Sequence, residues 1–189
     1  MSENLSYDTL YSNKDSFCYD SLESNCELYG RLYSWSFVMK VSTTYNSTRL
    51  KDTINHRGIC PEGWHVPRNG EWQTMIDYVN ADNGDADGDG STTDDDVGYS
   101  LKSTFGWYND KNGDDPYGFS ALPGGRVIDK GDSIIQKAGQ YGYWWTATED
   151  GSVYNGNSAY LREIYYGLPN TISSTTQKVN ALSLRCVKD

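Results

Sequence analysis

Four cysteines, at Cys18, Cys26, Cys60 and Cys186, constrain the fold of this chain more than any other feature. They allow three disulfide pairings. No CxxC pair is present, and only His56 and His65 could join the cysteines at a metal, which argues against zinc. An even cysteine count in an acidic, Tyr- and Asn-rich chain points to an oxidising compartment and to pairing of Cys18 with Cys26 and of Cys60 with Cys186. The first bridge pins a local loop. The second ties the chain end to its middle, closing a loop long enough to contribute roughly 4 to 5 kcal/mol in the chain-entropy model. The alternative is four buried thiols.

The 189 residues carry 16 Lys plus Arg against 26 Asp plus Glu, a net charge of −10. This excludes nucleic-acid binding driven by phosphate neutralisation. With a mean hydropathy of −0.72 and no apolar run approaching about 18 residues, no membrane span is expected. An aromatic content of 14% supplies a core, and the length suits a single domain over residues 1–189. Sixteen Tyr and six Trp against four Phe favour half-wet recognition surfaces, although a Tyr-rich sheet packing its rings across strands accounts for any one Tyr equally well. The segment Met1 to Leu5 lacks the basic start and apolar stretch of a signal peptide, so either one has been removed or the chain is part of a longer one.

The spacing of Trp72, Met75, Ile76 and Val79 predicts a helix after Pro67, capped by Asn69 and with Glu71 in its first turn. A second helix is expected within Gly30 to Val41, and an exposed loop from Thr43 to His56. From Tyr117 onward the runs Arg126 to Ile128, Tyr143 to Thr148, Tyr160 to Tyr166 and Ala181 to Val187 read as strands. In the last run Leu182, Leu184 and Cys186 share one face, expected to be the core face, which supports the long-range bridge. Trp144 and Trp145 point to opposite faces of their strand, so at least one is core. The fold class is α+β, with two helices packed on a twisted antiparallel sheet and long loops.

The motifs Tyr29-Gly30-Arg31-Leu32-Tyr33-Ser34-Trp35, Cys60-Pro61-Glu62-Gly63-Trp64-His65-Val66-Pro67 and Gly118-Phe119-Ser120-Ala121-Leu122-Pro123-Gly124-Gly125 recur in order. They continue with Tyr143-Trp144-Trp145-Thr146-Ala147-Thr148-Glu149 and close with Leu184-Arg185-Cys186-Val187-Lys188-Asp189. Together they resemble the Fibrobacter succinogenes major paralogous domain over nearly the whole chain. The resemblance implies a bacterial secreted or cell-surface protein with a C-type-lectin-like fold, akin to formylglycine-generating-enzyme and variable ligand-binding domains, and no established activity. The start at Met1 resembles a segment that in the family follows an N-terminal β region, so a strand is expected to be missing. Lys40 to Ile59 is longer than the family pattern.

Residues 82–96 form an acidic insertion in which Asp85, Asp87, Asp89, Ser91, Thr93 and Asp96 follow the calcium-loop spacing, with Gly90 at the sixth position. Calcium is the cofactor expected there, against the plainer reading of a solvated acidic turn. The segment Asn109 to Asp115 lacks the Gly and the closing carboxylate and reads as a turn. Catalysis is hard to assemble: His65 sits in a structural motif, and disulfides would consume the thiols, so no enzyme is expected. Recognition of a carbohydrate or surface protein is placed on Tyr141, Tyr143, Trp145, Tyr154, Asn155, Asn157, Tyr160, Arg162, Tyr165 and Tyr166, where rings and amides mix. The rival expectation is a structural or assembly subunit of a surface filament or adhesin, self-associating through exposed aromatics and an open sheet edge.

Overall fold

Adjacent tryptophans in the run Tyr141 to Glu149 point to opposite sides of one strand, and each side carries its own core. The computed structural model describes residues 3–7, 16–50, 56–83, 96–128, 134–152 and 156–189. In chain order the first elements are β1 (Ser16–Phe17), α1 (Glu23–Tyr29), β2 (Leu32–Ser34), α2 (Trp35–Val38), β3 (Trp64–His65), α3 (Asn69–Asn83) and α4 (Val97–Leu101). The remainder is β4 (Arg126–Ile128), β5 (Ile134–Gln136), β6 (Tyr141–Glu149), β7 (Ser158–Tyr165), β8 (Thr171–Gln177), β9 (Ala181–Leu182) and β10 (Val187–Lys188). The molecule is thus mixed α and β, and among the described residues these strands pair with one another antiparallel: a sheet β1-β2-β9-β4-β5, a sheet β6-β7-β8 and the pair β3-β10.

On one side of β6 and β7, Tyr143, Trp145, Ala147, Ala159 and Leu161 pack against Tyr33, Trp35, Val38 and Leu182. On the other, Trp144 and Ile164 meet the apolar stripe of α3 (Trp72, Ile76, Val79) and Val97 and Leu101 of α4. Both tryptophans of the pair are 0% exposed, and their indoles, like that of Trp35, have partners. Trp145 Nε1 donates to Tyr33 O (2.7 Å), Trp144 Nε1 to Asn4 Oδ1 (2.7 Å) and Trp35 Nε1 to Thr146 O (2.9 Å). Leaving any of them unpaired would cost about 1 to 3 kcal/mol.

The helix after Pro67 forms as its spacing predicts, but its cap differs. Glu71 Oε2 reaches back to accept the Arg68 N–H at 2.8 Å, the glutamate half of a capping box. Asn69 is thereby released to accept Arg162 Nε at 2.9 Å, tying α3 to β7. The helix expected within Gly30 to Val41 is replaced by β2 followed by the single turn of α2, because Leu32 and Tyr33 pair with Phe17 and Leu182 across the sheet. The loop expected from Thr43 to His56 contains a 3-10 turn at Thr43–Asn46, and residues 51–55 of it lie outside the described residues. Three of the expected strands correspond to β4, β6 and β7. The last run breaks into β9 and β10, and both of its faces are buried, Ser183 and Arg185 included. Strand β8 has no apolar alternation and was not expected. Residues 3–7 join the fold through Leu5 N to Leu184 O at 2.8 Å.

Both expected disulfides are formed, Cys18–Cys26 and Cys60–Cys186, and they account for all four cysteines. Their sequence separations, 8 and 126, differ widely. Replacing Cys60 and Cys186 together by Ser is therefore expected to lower the unfolding free energy by about 5 kcal/mol, and replacing Cys18 and Cys26 by about half as much. Urea titration of the two double variants measures both, and equal losses would show that loop length is not what the bridges act through.

Candidate ligand-binding site

The residues expected to recognise a ligand separate into three groups. Tyr141, Tyr165 and Tyr166 come together at one end of the β6-β7 pair. Tyr141 stacks on Tyr165 (centroids 4.4 Å apart), Tyr165 meets Tyr166 edge to face (4.5 Å), and Tyr166 meets Tyr108 edge to face (5.2 Å). The second group is interior. Trp145 and Tyr143 fall on the core face of β6, and Arg162 is buried with Nη2 donating to Asn69 O (3.1 Å) and Gln73 Oε1 (3.2 Å). These three hold sheet, core and helix together, which corrects their assignment to a surface. The third group is scattered: Tyr160 is half-buried in the centre of β7 opposite Thr175, and Asn157 accepts Ser158 Oγ at 3.2 Å. Tyr154 and Asn155 lie outside the described residues.

The proposed calcium set fares similarly. Asp85, Asp87, Asp89, Ser91 and Thr93 lie outside the described residues. Asp96 is buried at the start of α4, where its backbone oxygen accepts the Ser100 N–H at 3.0 Å. Among the described residues, Cys18, Glu23 and Cys26 bring potential ligand atoms together, but the two sulfurs are joined in a disulfide and offer no thiolate.

Within the tyrosine row most ring faces are already covered. Tyr141 is stacked on Tyr143 at 5.4 Å and carries Lys137 Nζ 4.3 Å from its ring centre, while Arg126 lies 4.6 Å over Tyr143. Hydroxyls and edges are what this part presents. Burial raises the Tyr143 phenol well above its ordinary range and lifts Glu163 as well, with Arg126 and Lys137 pulling Glu163 back down. The hydrogen bond with Tyr166, then burial, pushes Tyr165 up to about 12. The phenols of Tyr143 and Tyr165 are therefore neutral hydrogen-bonding groups near pH 7.

Tyr166 continues into a cleft of about 340 Å³ floored by Tyr99 of α4 and by Lys102 just after it, with residues 110–112 as one wall and 166–169 as the other. Sequence reasoning missed Tyr108 and this cleft, because the two walls are distant in the chain and carry no motif. The turn expected at Asn109 to Asp115 is present. Asn112 Oδ1 accepts the Trp107 N–H (3.1 Å), and Asp115 accepts the Ser120 N–H and hydroxyl (2.8 and 2.5 Å).

With this geometry in place, the sequence matches the Fibrobacter succinogenes major domain over residues 1–188. The chain belongs to that family. No curated protein and no solved structure matches it. The family name carries a bacterial origin, and the two disulfides of this Fibrobacter succinogenes major domain fit an extracellular setting. Among the described residues, no helix is long and apolar enough to cross a membrane.

The Gly-Trp-His-Val-Pro motif of the domain also acquires a role. His65 Nδ1 pairs with Asp189 Oδ1 (2.6 Å) and Nε2 with Glu71 Oε1 (2.9 Å), so the ring ties the last residue and β3 to the first turn of α3. Burial pulls the imidazole pKa down, but the hydrogen bonds to Asp189 and Glu71 outweigh it and the net shift is upward from 6.5. Burial pushes Glu71 up, but the Arg68 N–H, His65 and the Arg68 guanidinium outweigh it, and its net shift is downward from 4.5. A raised histidine stabilises the fold fully below about pH 6.5 and loses that contribution as pH climbs through the folded value; a lowered carboxylate contributes above about 4.5 and loses it on acidification. The melting temperature of the native chain is thus expected to fall as pH rises above about 6.5, and His65→Gln is expected to flatten that limb. An unchanged slope in the variant would assign the pH dependence to other groups.

Proposed function

We propose that this domain is a non-catalytic, secreted or cell-surface binding module with a C-type-lectin-like fold, recognising a carbohydrate or protein ligand through the tyrosine row and the cleft beside it. The observation that carries the reading is the convergence of Tyr108, Tyr141, Tyr165 and Tyr166 on one surface, rings with polar hydroxyls beside a polar cavity. Further support comes from the groups that catalysis would need. All four thiols are bridged, His65 is held between two carboxylates, and His56 Nε2 is bonded to Met39 O at 2.5 Å. The fold reading rests on the family resemblance, together with helices packed on antiparallel sheets. Calcium is proposed to order the 85–96 loop on the strength of its carboxylate spacing; bound there, the ion would supply charge neutralisation rather than chemistry.

One observation favours assembly as a second reading. Strand β8 ends the β6-β7-β8 sheet with seven residues, Thr171 to Gln177, none of them charged or proline, and no strand among the described residues pairs with its outer edge. Natural edges are usually guarded by such residues, and an unguarded one suits strand addition. Light scattering over a concentration series tests it. Ordered oligomers abolished by Ser174→Pro favour assembly, and a persistent monomer counts against it.

The binding reading is tested on an array of plant and bacterial polysaccharides and surface proteins, probed with calcium and with a chelator. Selective binding that falls about tenfold or more in Tyr165→Ala or Tyr166→Ala, with the circular dichroism unchanged, is expected. Binding lost with the chelator would attach the acidic loop to recognition. Full binding by both variants would move the site away from the tyrosine row.

A further inference from the structure

The cleft over α4 is more than an extension of the tyrosine row, because its walls are held by backbone contacts that admit only glycine. In α4, a Cβ on Gly98 would lie 2.2 Å from Asn170 O, and the neighbouring Tyr99 N–H donates to Pro169 O at 2.7 Å. On the opposite wall, a Cβ on Gly113 would lie 2.0 Å from Tyr99 O, and the Gly113 N–H donates to Ser103 O at 3.1 Å. Both walls are pressed onto the same short helix from different parts of the chain. A cavity built this way exists before its ligand arrives, which removes much of the ordering cost of binding.

Lys102 reinforces the arrangement from below. Its side chain is buried, with Nζ donating to Leu168 O (3.0 Å) and Tyr166 O (3.3 Å) and lying 5.3 Å from the centre of the Trp107 ring. The ammonium is thus engaged by carbonyl dipoles of one wall and by the Trp107 ring, whose backbone N–H holds Asn112 of the other, so it acts as a tie. The groups that face the cavity from residues 110–112 are of mixed kind. Asp110 offers an acceptor, Lys111 a donor, and Asn112, whose Oδ1 is taken by the Trp107 N–H, retains its two amide donors. Tyr166 lines the other wall, and next to it Tyr108 is 49% exposed, unlike the covered rings further along the row.

We propose that this cleft binds one ring of a neutral saccharide. The inference rests on the reading of the chain as a binding module and narrows it to a place and a chemistry. Each sugar hydroxyl is both donor and acceptor, which matches a lining of carboxylate, ammonium, amide and phenol where a single-sign ligand would leave groups unmatched. The exposed ring of Tyr108 offers a face for the apolar C–H side of a pyranose. At about 340 Å³ the cavity lies at the low end of small-molecule sites, about 300 to 1,000 Å³, which suits one ring better than an extended oligosaccharide. An acidic sugar is disfavoured by the net charge of −10. Asn109 and Asp110, both at φ 55°, are residue types that accept the left-handed region, and they shape the wall that carries these polar groups.

The test is titration of the full ¹⁵N-labelled chain with methyl glucoside, methyl galactoside, methyl mannoside, N-acetylglucosamine and glucuronate, followed by NMR. At least one neutral sugar is expected to bind, with shifts confined to residues 99–112 and 166–169 and with glucuronate weaker. Tyr108→Ala and Asp110→Gly, the latter keeping the left-handed backbone, are expected to weaken that binding about tenfold or more, while Leu28→Ser leaves it unchanged. Shifts centred elsewhere, tighter binding of glucuronate, or full affinity in both cleft variants would overturn the proposal. If no monosaccharide binds while the array detects a ligand, the cleft assignment fails and the module reading stands. Silence in both experiments overturns both.

Discussion

The burial of two adjacent indoles on opposite sides of β6 is the constraint on which the rest of the structure depends. A strand alternates its side chains, so Trp144 and Trp145 require a separate apolar environment on each face. The chain supplies α3 and α4 for one and α2 with β2 and β9 for the other. Each indole N–H must also find an acceptor, and the acceptors come from distant segments: Asn4 for Trp144 and Tyr33 for Trp145. Residue Asn4 then accepts Arg185 Nε at 2.8 Å with the same oxygen and donates to Tyr29 O at 2.7 Å, so one amide joins the first described segment, the end of α1 and the last strand region. With both faces of β6 and β7 covered, the proposed ligand contact falls at the ends of the strands.

An acidic chain that buries its cations uses them in a consistent way. Lys178 donates to Tyr45 O (2.9 Å), Thr48 O (3.1 Å), Gly156 O (2.6 Å) and Glu149 Oε1, and lies 4.3 Å from the centre of the Trp35 ring. Arg185 donates to Phe119 O and Ser120 O and stacks on Phe119 at 4.2 Å. Lys102 does the same for the turn at 166–168. Burial lowers the pKa of Lys178 and Arg185, yet hydrogen-bonding acceptors surround each charge. The long connections that the sequence reads as loops are therefore fastened to the core, which gives an irregular surface fixed enough to recognise a ligand.

Sequence spacing made α3, β4, β6, β7 and both disulfides legible, because each is governed by local periodicity or by a chemical pairing with few alternatives. It misassigned 30–41, where strand pairing with residues far along the chain overrides a helical spacing. Strand β8, Thr-Ile-Ser-Ser-Thr-Thr-Gln, carries no apolar alternation since it is an edge with little to bury. At the candidate site, Tyr141, Tyr165 and Tyr166, expected on a recognition surface, gather at one end of β6 and β7, whereas Tyr143, Trp145 and Arg162 are of the same residue types but face inward. Composition distinguishes ring from aliphatic, not wet from dry. Tyr108 and the cleft depend on two glycines that admit close backbone approach, a property that the sequence displays only once the neighbours are known.

The proposed recognition site lies at the end of β6 and β7, where the tyrosine row opens into the cleft over α4, while both sheet faces serve as core. Hydrogen–deuterium exchange of the full chain, with and without a saturating pool of neutral oligosaccharides, tests it most directly. Slowed exchange in 99–113 and 164–170, with 69–83 and 158–162 unaltered, is the predicted result. Protection centred on α3 or the middle of β7, with no change around 99–113, would contradict it.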